Sequence, residues 1–141
     1  MNATIEKFGY PATLLRQWEH WVLLLRPAQP TLGSCVLAAK SDAIRFGDLS
    51  AEAHAELKSA TGETEAMLTK AIGYEKLNYL MLMMVDPHVH FHVIPRYGET
   101  RSRDGVDYVD AGWPKMPDLG AAVTPAPEAR DQLIAWLKSC F

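Results

Sequence analysis

Asp86-Pro87-His88-Val89-His90-Phe91-His92-Val93-Ile94-Pro95-Arg96 is the stretch whose reading decides the fold. Three imidazoles alternate with Val89, Phe91 and Val93. In an extended chain alternate side chains point to the same side. A strand over Val89–Ile94 therefore lines one face with His88, His90 and His92, successive rings about 6.6–7 Å apart along the backbone. Val89, Phe91 and Val93 enter a core on the other face, and Pro95 is expected to end the strand. Three of the five histidines of the chain fall in this one window, which argues against incidental surface polarity.

Reading outward, Asn78–Val85 (NYLMLMMV) is almost wholly apolar, as a central strand covered on both faces would be. Its Leu and Met residues also form helices well, but its length and the Asp86-Pro87 turn favour a strand. Trp21–Leu25 (WVLLL) and Cys35–Ala39 (CVLAA) flank a turn containing Pro27, Pro30 and Gly33, and predict a second strand pair. Asp48–Ile72 reads as the main helix. Ser50 or Asp48 caps it, and Glu52 lies in its first turn. Ala53, Leu57, Ala60, Thr64, Leu68 and Ile72 form its apolar stripe, Gly62 is a place for a kink, and Gly73 is its stop. Leu14, Leu15, Trp18 and Trp21 stand at helical spacings, so Pro11–Trp21 reads as an earlier helix. After Pro95 comes a polar loop, RYGETRSRDGVD. Pro125, Pro127 and Glu128 then open a last helix with Leu133, Ile134 and Leu137 on its buried side. Paired strands with intervening helices predict an α+β fold. Neither glycine-rich phosphate loop, GxGxxG or GxxxxGK[ST], is present.

At 141 residues the chain suits one domain, 1–141, with a core that needs no cross-links. A net charge of −3 speaks against a general nucleic-acid binder. No apolar run approaches the ~20 residues of a membrane span, and the N-terminal residues lack the features of a signal peptide. Cys35 and Cys140 form no CxxC pair and read as reduced thiols. A cytoplasmic location is the resulting expectation.

The imidazole row has two chemical readings. Zinc uses three histidines in some catalytic sites, but no HExxH or cysteine pattern supports one here. Alternatively, a neutral imidazole is a good nucleophile toward phosphorus and a good leaving group afterwards. Flanking imidazoles can then donate hydrogen bonds to phosphate oxygens.

HVHFHVIP resembles the motif of the histidine-triad (HIT) family. The resemblance extends over about 21–97: an apolar strand, the Pro-rich turn, a second strand, RFGDLS opening the long helix, and an Asn-bearing strand before the triad. It implies a HIT-like α+β fold with a five-stranded antiparallel sheet, a long helix and a C-terminal helix, with 98–141 a subgroup-specific extension. It implies a nucleotide hydrolase or nucleotidyl transferase acting on dinucleoside polyphosphates, phosphoramidates or related nucleotides, with no metal or other cofactor in the core chemistry and a homodimer as the common assembly. His90 would be the nucleophile, His92 would contact the phosphate and bridging oxygen, and His88 would orient His90, partly through its backbone carbonyl. Three departures stand out. Met84-Val85-Asp86-Pro87 replaces a frequent Gly-Gln, Ser34-Cys35 stands where a further histidine is common, and Leu24-Leu25-Arg26 lacks the usual ribose-gripping residue. A non-catalytic nucleotide-binding module that keeps the triad is therefore an alternative, and a zinc hydrolase is another.

Among secondary candidates, Ser34 can donate a hydrogen bond to phosphate. Asn78 either touches the ligand or caps a turn, and Arg96 can supply positive charge. Trp113 covers the pocket or an interface, or packs on the core. The methionines at 81, 83 and 84 read as flexible core filler, and His20 and His54 as helix-surface residues.

Overall fold

A computed structural model describes residues 1–141. The elements run α1 (Ala3–Lys7), β1 (Leu14–Gln17), β2 (Trp21–Leu25), β3 (Cys35–Ala39), α2 (Ala51–Ile72), β4 (Lys76–Leu80), β5 (His90–Arg96), β6 (Arg101–Arg103), β7 (Val106–Tyr108) and α3 (Pro127–Lys138). The strands form a five-stranded antiparallel sheet in the order β1-β2-β3-β5-β4, beside a small β6–β7 hairpin.

Both faces of this sheet are covered at its centre, so β2 and β3 are buried at every position. Trp21, Leu23, Leu25, Leu37, Ala39 and Val93 pack with Met67 and Leu68 of α2 and Leu133 and Leu137 of α3. Val22, Leu24, Val36 and Ala38 face the other way and pack with Ile5 of α1. Apolar residues in unbroken runs are what a strand covered on both sides requires.

The long helix follows its sequence signals. The Ser50 hydroxyl accepts from the Ala53 amide at 3.1 Å, and Gly73 ends the helix at φ 61° and ψ 47°, a left-handed conformation that favours glycine. The helix continues unbroken through Gly62. In α3, Leu133, Ile134 and Leu137 are buried as expected.

Four expectations need correction. Pro11–Trp21 is not a helix: Leu14–Gln17 pairs with β2 as an edge strand. Leu14 joins the cluster under α1 while Leu15 joins the cluster under α2, the opposite-facing neighbours of a strand. Asn78–Val85 is not a central strand. β4 starts at Lys76, ends at Leu80 and occupies the sheet edge. Beyond it the chain leaves the sheet, Met83 has φ 41°, and Leu82, Met84 and Val85 are exposed. Pro95 does not end β5. Pairing with β3 stops at Cys35↔Val93, so at Pro95 the strand has only β4 beside it and a missing donor is tolerated. Finally, the polar stretch after Pro95 contains the β6–β7 hairpin. Its turn is Asp104-Gly105, with φ 51° and 76°, the pair that a two-residue hairpin turn prefers.

Residues after Tyr97 are fastened to the sheet. The Arg96 guanidinium donates to both oxygens of Asp110 (2.7 and 3.1 Å), and Asp110 also accepts from the Tyr97 amide. The Tyr97 hydroxyl accepts from the Leu32 amide and donates to the Tyr108 carbonyl. Gln29 and Val123 exchange backbone hydrogen bonds. The Arg96 and Asp110 side chains are 4% and 1% exposed. Removing one partner leaves a buried charge alone, which costs about 3–5 kcal/mol. Asp110→Ala is expected to lower the unfolding free energy by that amount in urea titrations, and an unchanged midpoint would contradict this role.

Candidate active site

The site begins with the two-residue alternation of β5. Val93 enters the core under α2, and Phe91 packs against Trp21, Phe46 and Tyr79. His90 and His92 therefore emerge together on the opposite face, their ring centroids 5.1 Å apart and nearly perpendicular. The Phe8 ring lies 5.7 Å from each of them. His88 precedes the strand and meets Thr4 of α1, which covers the same face.

One hydrogen bond fixes the chemistry of His90. Its Nδ1 lies 2.7 Å from the His88 carbonyl oxygen. A carbonyl only accepts, so Nδ1 carries the proton. In the neutral ring Nε2 then holds the free lone pair. The main-chain carbonyl of His88 is thus the partner of the His90 ring.

His92 is set differently. Its Nδ1 is buried without a partner. Burial pushes its pKa down to about 4, electrostatic interaction with His90 and Arg26 adds to the effect, and Asp86 opposes it. The ring is neutral at neutral pH.

His90 and His92 line a recess of about 150 Å³, closed on its outer side by Leu82, Met83, Met84, Val85 and Asp86. The methionines at 83 and 84 are thus rim rather than core, and Met81 alone packs on the core. A recess this size is below the roughly 300 Å³ of ordinary ligand pockets.

The remaining sequence candidates stand elsewhere. Asn78 accepts from Arg96 Nη1 at 2.8 Å, and both line a second, larger cavity of about 620 Å³ between the β4 edge and Trp113–Pro117. Leu80, the cross-strand partner of His92, also lines it. Trp113 lines it too, with a cis bond to Pro114. Ser34 is fully buried in its turn, where its hydroxyl donates to the Thr31 carbonyl and accepts from the Thr31 amide. Cys35 is buried and its thiol pKa is raised by desolvation, which makes it unreactive. His54 lies on α2 against Phe46, but His20 is in the β1–β2 turn rather than on a helix. No group of three or more His, Cys, Asp or Glu side chains is arranged to hold a metal ion, and no helix is long and apolar enough to cross a membrane.

Sequence reading missed the N-terminal contribution: Thr4 at His88, Phe8 over His90 and His92, and Lys7 paired with Asp86 at 2.6 Å. The available signal was Asn2, a good helix cap, followed by Ile5 and Phe8 at helical spacing.

No protein-family model and no curated protein matches the sequence. Solved structures do match the fold. A histidine triad protein from Bradyrhizobium japonicum superposes with a TM-score of 0.76 at 18% identity, over 99% of this chain and 96% of that one. A histidine triad (HIT) protein from Sinorhizobium meliloti gives 0.75 at 23% identity, over 100% and 96%. The chain has the histidine-triad fold. A hypothetical histidine triad nucleotide-binding protein from Sulfolobus tokodaii is similar as well, with a TM-score of 0.70 at 17% identity over 97% and 88%. Within this fold His90-Phe91-His92-Val93 of the present chain falls on β5, at the interior of the sheet, and His88 and Val89 immediately precede it.

His92 makes stability depend on pH. Its folded pKa lies below the ordinary histidine value near 6.5, so between about 6.5 and about 4 the unfolded chain binds more protons. The contribution is complete above about 6.5 and is lost as pH falls to about 4. In urea titrations across that window, His92→Asn is expected to show a shallower loss of stability than the parent. Parallel curves would contradict the assignment.

Proposed function

We propose that the chain is a nucleotide hydrolase or nucleotidyl transferase working through a covalent nucleotidyl-histidine. His90 Nε2 attacks a phosphorus atom, a P–N bond forms, and the P–O or P–N bond to the leaving group breaks, its electron pair departing with that group. Water or another acceptor then attacks the same phosphorus and releases His90. The observation that carries this reading is the bond from His90 Nδ1–H to the His88 carbonyl, because in the neutral ring it leaves the lone pair on Nε2 and fixes its direction.

The neutral state of His92 supports a division of labour. As a neutral ring it can donate one hydrogen bond to a phosphoryl oxygen, but it holds no extra proton near neutral pH. Leaving groups that depart as stable anions, such as the nucleoside phosphates of a dinucleoside polyphosphate, suit this better than amines that must be protonated. The small recess also suits a phosphoryl group with its nucleoside outside. A homodimer goes with this reading, and the outer edge of β4 offers unpaired backbone for it.

A second reading rests on a specific observation. His90 is 1% exposed beneath Phe8 and the 82–86 segment. That closure also fits a module that binds nucleotides without turning them over. A panel of nucleoside phosphoramidates, adenylylated sulfates and dinucleoside polyphosphates separates the two: turnover supports the enzyme, and binding without turnover supports the module.

For the enzyme, His90→Ala is expected to lower kcat by roughly 10³-fold or more while circular dichroism stays unchanged. Incubation with a slow substrate labelled at the phosphorus is expected to leave label on the His90 peptide. Label on another residue, or near-parental activity of the variant, would refute the covalent route.

A further inference from the structure

We propose that Thr4 is a positioning residue of this site, holding both the ring and the backbone of His88 and, through the His88 carbonyl, the reactive tautomer of His90. The proposal rests on the reading of His90 as the nucleophile and adds a residue far from the triad in sequence.

The geometry is a two-point clamp. The His88 amide donates to Thr4 Oγ1 at 3.3 Å, and the same oxygen lies 2.9 Å from His88 Nδ1. Thr4 is 2% exposed, so water does not compete for these groups. Because Oγ1 accepts the amide proton, its own proton is free to donate. The ring nitrogen is the only acceptor among the hydrogen bonds of Thr4. The hydroxyl therefore donates to Nδ1, and neutral His88 carries its proton on Nε2. The chain of bonds runs from the Thr4 hydroxyl to the His88 ring, and from the His90 ring to the His88 carbonyl. The clamp holds the His88 ring and amide, and the Val89 amide, donating to the Ala43 carbonyl at 3.1 Å, holds the next peptide, so the two together fix the carbonyl that His90 meets.

The clamp is only as firm as the helix that carries it, and α1 is too short to be stable alone. It is anchored at several points. Asn2 caps it, and its side-chain amide donates to the carbonyls of Ala39 and Ser41 at the end of β3. Ile5 is fully buried against Val22, Leu24, Val36 and Ala38. Lys7 pairs with Asp86, two residues before His88. Thr4 therefore approaches His88 from a support fixed to the sheet on one side and to the 82–86 segment on the other. Rigid supports of this kind hold a reacting group in its productive geometry.

Thr4→Val keeps the shape and removes the hydroxyl, and Thr4→Ser keeps the hydroxyl. Thermal melts of both, and of Thr4→Ala in case valine does not fold, establish that the chain is intact. Nitrogen-15 spectra of the imidazoles, recorded without substrate, read the positioning directly. In the parent and in Thr4→Ser, His88 is expected as the Nε2–H tautomer and the His90 Nδ1–H as a slowly exchanging signal. In Thr4→Val or Thr4→Ala the His88 signals are expected to move toward a tautomer mixture and the His90 proton to exchange faster. With a turned-over nucleotide, kcat is expected to fall roughly 10- to 100-fold with KM little changed, as for a displaced reacting group. Parental ring signals in a folded hydroxyl-less variant would overturn the proposal, whatever its activity. Altered ring signals with parental kcat would overturn its link to catalysis. Absence of turnover in the parent itself bears on the nucleophile reading alone, since the ring signals still test the clamp.

Discussion

β5 has to satisfy two opposite surroundings with one backbone, and the rest of the structure follows from that constraint. Val93 is committed to the core under α2 and Phe91 to the aromatic cluster around Trp21, so His90 and His92 are committed to the other face. A register slip of one residue would send imidazoles into hydrocarbon and apolar side chains onto the cleft. Ladders with β3 and β4 prevent the slip: Ala38↔His90, Val36↔His92 and Leu80↔His92 are paired positions. The two rings stand on an interior strand, where the backbone is held from both sides, rather than on a loop.

The same placement divides the two imidazoles chemically. His90 has a carbonyl partner for Nδ1, whereas His92 has no partner there and is held neutral chiefly by burial. Adjacent rings of identical chemistry thus differ in their partners, since only one of them meets a main-chain acceptor. The cover on this face is thin. A single short helix, α1, supplies Ile5 and Phe8, and polar anchors at Asn2, Thr4 and Lys7 do the work that extensive apolar packing does under α2.

Features whose cause is local were legible in the sequence. The apolar runs of β2 and β3, the cap and stop of α2, the buried side of α3 and the alternation on β5 all follow from nearest-neighbour rules. The errors have non-local causes. Leu14 and Leu15 satisfy a helical spacing, yet pairing with β2 sends them to opposite faces. Leu82–Val85 has the composition of a core strand but forms the rim of the recess, since β4 ends at Leu80. Pro95 looked like a terminus because the sequence does not reveal that β3 has already ended beside it. For the site, the triad was visible because its residues lie within five positions, two of them on one strand. Thr4 and Phe8 were not, because they meet the triad only through the docking of α1. Arg96 and Asn78 are polar residues near the motif, but Asp110, which holds Arg96, comes from a distant segment, and Arg96 and Asn78 bond to each other and line the larger cavity.

The central claim is that the central imidazole of the row forms a bond to phosphorus and later gives it up. The stereochemical course at that phosphorus tests this most directly, with a nucleotide made chiral there by sulfur and oxygen isotopes. Two successive in-line displacements, one by His90 and one by the acceptor, give net retention of configuration. Net inversion would mean a single direct displacement by the acceptor and would contradict the covalent account.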